Sequence, residues 1–326
     1  MDGARGREGS RVSAPPRERG LKRTQERPIS LPGEKCLLKL ILGLIVVIGC
    51  VLGGYVLHHG ELILLFVPTE YLIIVGCGGG AMIIQNPARV LVQVVKDLFG
   101  LLGSGGPGKA EHLEVLKLNY ELMQLARKDG VLSLEEHVND PDKSVIISKY
   151  SSFIKDRHAV HFLCDTLKLF VAGVLDAHNL DELMERDLEV LHHEELETAN
   201  AMTKLADSLP AIGIVAAVLG IILTMASVDE GAAVVGQKIA GALVGTFLGV
   251  FMSYGFASPL AGSLESKAAA KSRYYQCIRQ IIAASVNGVN PGMAVEVGRR
   301  TIYSVDRPTF EELEESLREI KSGAKG

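Results

Sequence analysis

The sequence predicts an all-α integral membrane protein with four transmembrane helices, a long cytoplasmic helical loop and a helical C-terminal tail. Three observations carry this. Two late segments, 208–228 and 239–264, hold no charged residue, and each is long enough for a bilayer, which takes about 20 residues. Two earlier apolar segments, 40–57 and 71–85, are set apart from them by a polar, helix-like stretch, 88–204. The mean hydropathy is +0.24 although 22% of the 326 residues are charged, so apolar residues are bunched, as in a membrane protein with a soluble part.

Residues 1–34 are rich in Arg, Gly, Pro and Ser without apolar periodicity, and read as a disordered basic extension. The first hairpin, 35–87, begins with the span 40–57, preceded by Lys35 and Lys39. A cleaved signal peptide would have a shorter apolar region and a small-residue cleavage site, and neither is present. A turn over 58–69 leads to the Gly-rich span 71–85. Glu70 stands at its start, where a carboxylate meets the positive end of a helix, and Asn86-Pro87 ends it.

The loop 88–204 and the tail 265–326 both carry basic residues near the spans (Arg89, Lys204, Lys267, Lys271), which the positive-inside rule assigns to the cytoplasm together with both termini. The link 229–238 inside the second hairpin, 205–264, lies on the other side. In the loop a helix from about Glu111 to Lys128 should stop at Gly130, and Ser133 with Glu136 reads as a capping box. Asn139-Asp140-Pro141 stops the next helix, and Asn179 with Glu182 reads as another cap. No breaker follows before Pro210, so one helix is expected from Leu180 through the third span, roughly 70 Å at 1.5 Å per residue. The fourth span should continue into 265–284, and Thr309 with Glu312 caps a tail helix.

Pro210 opens the third span and Pro259 closes the fourth, so antiparallel packing should bring both to a similar depth near the cytoplasmic face. Proline is common in membrane helices; the alternative is a hinge layer coupling the bundle to the cytoplasmic helices. Gly241-x3-Gly245-x3-Gly249 forms a small-residue ridge for close helix packing. Thr246 beside it either bonds a carbonyl one turn back or lines an ion path or partner helix. No span holds an interior Asp, Glu, Lys, Arg or His. A mid-bilayer charge costs about 2.5–3.5 kcal/mol on insertion scales, so any ion-conducting complex would draw its carboxylate from another chain. Asp207, three residues before Pro210, is either a cytoplasmic exit group or a boundary charge.

Other motifs read as structural. Gly103-x4-Gly108-Lys109 imitates a phosphate loop, but Ala110 stands where Ser or Thr is required, so a linker is expected. His158, His161 and Cys164 drift around a helix without a fourth ligand, and His192-His193-Glu194-Glu195 reads as a solvated face; no metal or other cofactor is expected. Cys36, Cys50, Cys77, Cys164 and Cys277 form no CxxC and read as small buried hydrophobes. No nucleophile motif points to an enzyme, and the net charge of −4 argues against nucleic acid as main partner. Arg127 and Glu135 flank the Gly130 turn. Either each simply suits its own helix end, or the two form a docking pair at an exposed corner.

Three segments carry a family resemblance. Leu209-Pro-Ala-Ile-Gly-Ile-Val-Ala-Ala-Val-Leu-Gly220 resembles the third span of the MotA flagellar stator family. Gly241-Ala-Leu-Val-Gly-Thr-Phe-Leu-Gly249 with Tyr254-Gly-Phe-Ala-Ser-Pro-Leu260 resembles its fourth, and Phe66-Val-Pro-Thr-Glu70 with Asn86-Pro87 its second. Arg127 and Glu135 match its charged loop, while 1–34 departs from the pattern. The resemblance implies a bacterial inner-membrane stator in which five MotA chains surround a MotB dimer. A MotB aspartate binds the ion, and the loop pushes the rotor protein FliG. It implies that Pro210 and Pro259 are hinge prolines, that Thr246 and Ala217 face the ion path and MotB, and that Arg127 and Glu135 engage FliG. Sodium-driven members tend to carry Thr where this chain has Ala217, so H+ is expected as the transported ion rather than Na+. The rival is a TolQ/ExbB-type energiser, which has one span before its large loop; here two precede it.

Overall fold

A computed structural model describes residues 32–101, 103 and 106–323, all of them helix, turn or irregular chain with no strand among them. The basic extension expected over 1–34 lies outside the described residues except for its last three, which already belong to the first helix.

The helices in chain order are α1 (Pro32–Leu57), α2 (Pro68–Gln85), α3 (Ala88–Leu101), α4 (Lys109–Asp129), α5 (Glu135–Asn139), α6 (Ser151–Lys155) and α7 (Arg157–Ala172). They continue with α8 (Ala177–Met225), α9 (Ala232–Met252), α10 (Ser258–Val286), α11 (Pro291–Thr301) and α12 (Phe310–Gly323). Four helical segments are long and apolar enough to cross a membrane: Leu38–Leu57, Leu62–Gln85, Ala177–Met225 and Ala232–Val286.

The second segment starts before the expected 71, because Pro68 is tolerated in the first helical turn and Leu62–Leu65 adds a short 3-10 turn ahead of it. The fourth starts at Ala232 rather than 239. Lys238 therefore lies inside α9, reaching back to Glu230 Oε2 at 3.1 Å and to the Ser227 hydroxyl.

α8 is a single helix of 49 residues, about 74 Å at 1.5 Å per residue. α9 and α10 are joined through a π-helical turn, Ser253–Ala257, so the fourth span also runs unbroken beyond the apolar zone. These two rods pack on each other, and their extensions join two cores. One lies among the spans (Ile74, Leu209, Ala216, Val244, Leu248). The other fills a polar-surfaced head outside the spans, built from α4 to α7, the far half of α10, α11 and α12 (Leu116, Phe153, Leu163, Tyr275, Ile278). Charge pairs bind the rods beyond the apolar zone: Lys271 pairs with Glu195, and close to the far end of α8 Arg279 clasps Asp181 with two bonds of 2.8 and 3.0 Å. α1 is peripheral and touches the rest near Gly255, where a Cβ would lie 3.2 Å from Val47.

Several local expectations shift. α8 is capped by Asp176, whose carboxylate accepts from Asn179 N at 2.8 Å; Asn179 is therefore a first-turn residue and not the cap. Ser133 donates its hydroxyl to Gly130 O at 2.6 Å, so the Glu136 box does not form; the 3-10 turn Val131–Leu134, in which Ser133 N also donates to Gly130 O at 3.1 Å, brings the hydroxyl onto that carbonyl. The Thr309–Glu312 box does form, with both reciprocal bonds (2.7 and 3.2 Å). Cys164 and Cys277 are buried, whereas Cys50 and Cys77 sit exposed on the outer faces of α1 and α2.

Candidate functional site

The centre of the membrane region is the line along which α8 and α9 meet. A Cβ on Gly249 would lie 2.7 Å from Leu209 O and 2.8 Å from Gly213 Cα; one on Gly213 would lie 2.8 Å from Gly245 O. Real Cβ atoms do not approach that closely, so the two backbones touch and only glycine fits. Farther along, Gly220 lies against Ala242. Gly241, the first member of the expected ridge, has nothing near it, so the working seam is Gly213, Gly220, Gly245 and Gly249.

This register corrects the common depth expected for the prolines. Gly249 against Gly213 and Ala242 against Gly220 bring Met252 level with Pro210 and Thr203 level with Pro259. Pro259 is displaced toward the head by about two turns, or about 10 Å. The two prolines nonetheless flank one device. Pro210 lies inside α8 and has no N–H to give to Ala206 O, four residues back. Ser253, in the π turn of the other rod, donates its hydroxyl to that carbonyl at 2.6 Å. Pro259 then opens α10 just after the π turn.

Ala217 is buried on the seam; its backbone N lies 3.2 Å from where a Gly245 Cβ would be. Thr246, next to Gly245, is half-buried, and its hydroxyl makes no hydrogen bond among the described residues, whereas Thr224 donates to Gly220 O at 2.8 Å. The structure thus brings Ala217 and Thr246 to one level of the seam. Asp207 is exposed on α8, below Pro210.

Sequence reasoning missed Glu70 as a membrane-embedded acid. It lies within the 62–85 apolar segment, is 5% exposed, and packs its carboxyl group on Gly245 and Gly220. Starting the second span at 71 hid it; Pro68, which allows a helix to begin three residues earlier, was the available signal. Ser253 had no sequence signal, since its role depends on the register of two distant segments.

In the head, Arg127 ends α4 and Glu135 begins α5, both exposed and neither in an ion pair among the described residues. Nearby charges are paired: Lys149 with Glu121 at 2.7 Å and Lys143 with Asp140 at 2.6 Å. The linker expected at 103–109 lies partly outside the described residues. Where visible, Gly108 N donates to Glu111 at 3.0 Å to cap α4, and Lys109 pairs with Glu312 at 2.6 Å. His158 and His161 are exposed while Cys164 faces the core, so the three do not converge. The 192–195 stretch is a solvated face only in part: His193 and Glu194 are exposed, whereas His192 shares a hydrogen bond with Ser272 at 2.6 Å and Glu195 pairs with Lys271. In the tail, hydrogen bonds from Arg299, then from Arg300, hold the Glu296 carboxyl down to about 2.

Residues 41–130 match the family described as motility protein A N-terminal, and residues 156–277 match the MotA/TolQ/ExbB proton channel family. Motility protein A of Salmonella typhimurium is 39% identical over 283 residues, which cover 87% of this chain and 96% of that protein. In fold the chain is similar to the structure of C. jejuni MotAB, with a TM-score of 0.69 at 22% identity over 84% of this chain and 99% of that one. It is also similar to the flagellar MotAB stator complex from Bacillus subtilis, with a TM-score of 0.62 at 24% identity over 78% and 92%.

Proposed function

The chain belongs to the motility protein A family, and from that membership we infer how it works as a stator subunit of the bacterial flagellar motor. It is a multi-pass inner-membrane protein and not an enzyme. Two spans precede the large cytoplasmic region, which favours the stator over the TolQ/ExbB pattern.

One observation carries the mechanical reading: both rods of the glycine seam run without a break from the membrane zone into the head. In this reading MotB, as a dimer, supplies the aspartate that binds the transported ion, and Thr246 and Ala217 face it across the seam. Five copies of this chain surround that dimer. Proton passage changes the packing at the seam. The proline-bearing zone at Pro210 and Pro259 lets the rods swing, and the exposed charges Arg127 and Glu135 push on FliG. Asp207 receives ions leaving toward the cytoplasm, where both termini lie. Ala217 in place of Thr supports protons over sodium.

The test is complementation of a strain lacking its own stator, supplied with this chain and its MotB. Swimming should return and should persist in sodium-free medium. Swimming that requires sodium would overturn the proton assignment. Failure to turn the motor, with both chains present in the membrane, would overturn the mechanism.

A further inference from the structure

We propose that the Glu70 carboxyl group is itself a proton-carrying station of the path, supplied by this chain. The proposal rests on the ion-conducting reading above.

Glu70 opens α2, yet its carboxyl group reaches the middle of α9: Gly245 lies thirteen residues into that helix, about 20 Å from its start at 1.5 Å per residue. The group is 5% exposed, and its Oε2 is fully buried with no hydrogen-bond partner among the described residues. The seam is shaped to hold it. A Cβ on Gly245 would come within 2.5 Å of Oε2, and one on Gly220 within 3.7 Å of Oε1. The groups around it are Ala216 and Ala217 with Gly220 on α8, and Ala242 with Gly245 on α9. None of these residues is titratable or charged. Thr224, one turn beyond Gly220 on α8, already donates its hydroxyl to Gly220 O.

An ionised carboxylate in this apolar niche would have no counter-charge, so the resting group is the neutral acid. A neutral acid with a free oxygen, level with Ala217 and Gly245, can do one thing an alanine cannot. It gives its proton to a base brought up to the seam, the carboxylate of the partner chain. It then takes another from water on the side where α2 begins. The O–H bond of Glu70 breaks as the O–H bond of the acceptor forms, and the resulting anion lasts only until it is reprotonated.

The experiment compares wild type, Glu70→Gln and Glu70→Asp, each expressed with MotB, for membrane level, co-purification with MotB, proton flux into vesicles and motor rotation. Gln keeps the shape and neutrality but carries no exchangeable acid proton. It is expected to assemble normally and to lose flux and rotation at least tenfold. Asp should retain flux between wild type and Gln. Normal flux in Gln overturns the proposal and leaves Glu70 a packing group. If Gln fails to accumulate, the pH profile of flux in Asp decides: a profile displaced from wild type supports the station, and an unchanged one overturns it. Absence of proton flux in wild type would instead defeat the ion-conducting reading itself.

Discussion

The hydroxyl of Ser253 donates to the carbonyl of Ala206 at 2.6 Å, and that carbonyl is the one Pro210 leaves without a helical donor. A break in one rod is therefore closed by the other. Ser253 is 1% exposed, so no water replaces it readily. Ser253→Ala should lower stability by about 1–3 kcal/mol, the cost of an orphaned buried acceptor. Pro210→Ala restores the N–H, so in that background Ser253→Ala should cost much less. A double-mutant cycle on thermal unfolding of the detergent-solubilised protein measures this coupling, and strict additivity would refute it.

The seam predicts an ordering among glycines that look alike in sequence. Gly249→Ala and Gly213→Ala drive a methyl into backbone and should sharply reduce the amount of folded protein in the membrane. Gly241→Ala meets nothing within the chain and should accumulate normally. Immunoblots of membrane fractions separate the two classes.

Arg127 and Glu135 are exposed charges outside any ion pair among the described residues. Arg127→Glu and Glu135→Lys should each change stability by no more than about 0.5 kcal/mol, as is usual for surface sites. Each should still impair swimming strongly. A charge reversal in FliG that restores swimming to one of these variants would identify the pairing; intact swimming in both variants would remove these residues from the rotor contact.

Glu296 gives a pH prediction with a fixed sign. Its carboxyl is held well below the ordinary value of 4.5, at about 2, chiefly by hydrogen bonds from Arg299 and then Arg300. A depressed carboxylate stabilises the fold fully above its ordinary value and loses that contribution as pH falls toward the folded value. The gap in thermal midpoint between wild type and Glu296→Gln should be widest near pH 7 and shrink from about pH 4.5 downward, as followed by circular dichroism.

How much of this was legible in the sequence depended on how local each signal is. The single long helix through Pro210 and the Thr309–Glu312 box were readable because periodicity and capping act within a few residues. The Ser133 and Asn179 caps were misread because Gly130 and Asp176, each three residues earlier, offer competing hydrogen bonds. The depth of the prolines was misjudged because it depends on which glycines touch, a property of two segments together. Glu70 was hidden by a span boundary set three residues too late, and Ser253 by the sequence distance to the carbonyl it serves.

In the proposed mechanism the uninterrupted 49-residue helix is a lever whose pivot, Pro210, lies well off centre. From Pro210 to its far tip at Ala177 is about 50 Å, so a swing of about 10° at the pivot would carry the tip about 9 Å sideways. On that mechanism, angstrom-scale repacking among the glycines would be geared up to the size of a whole side chain's reach, with stiffness of the shaft setting how much of the stroke arrives.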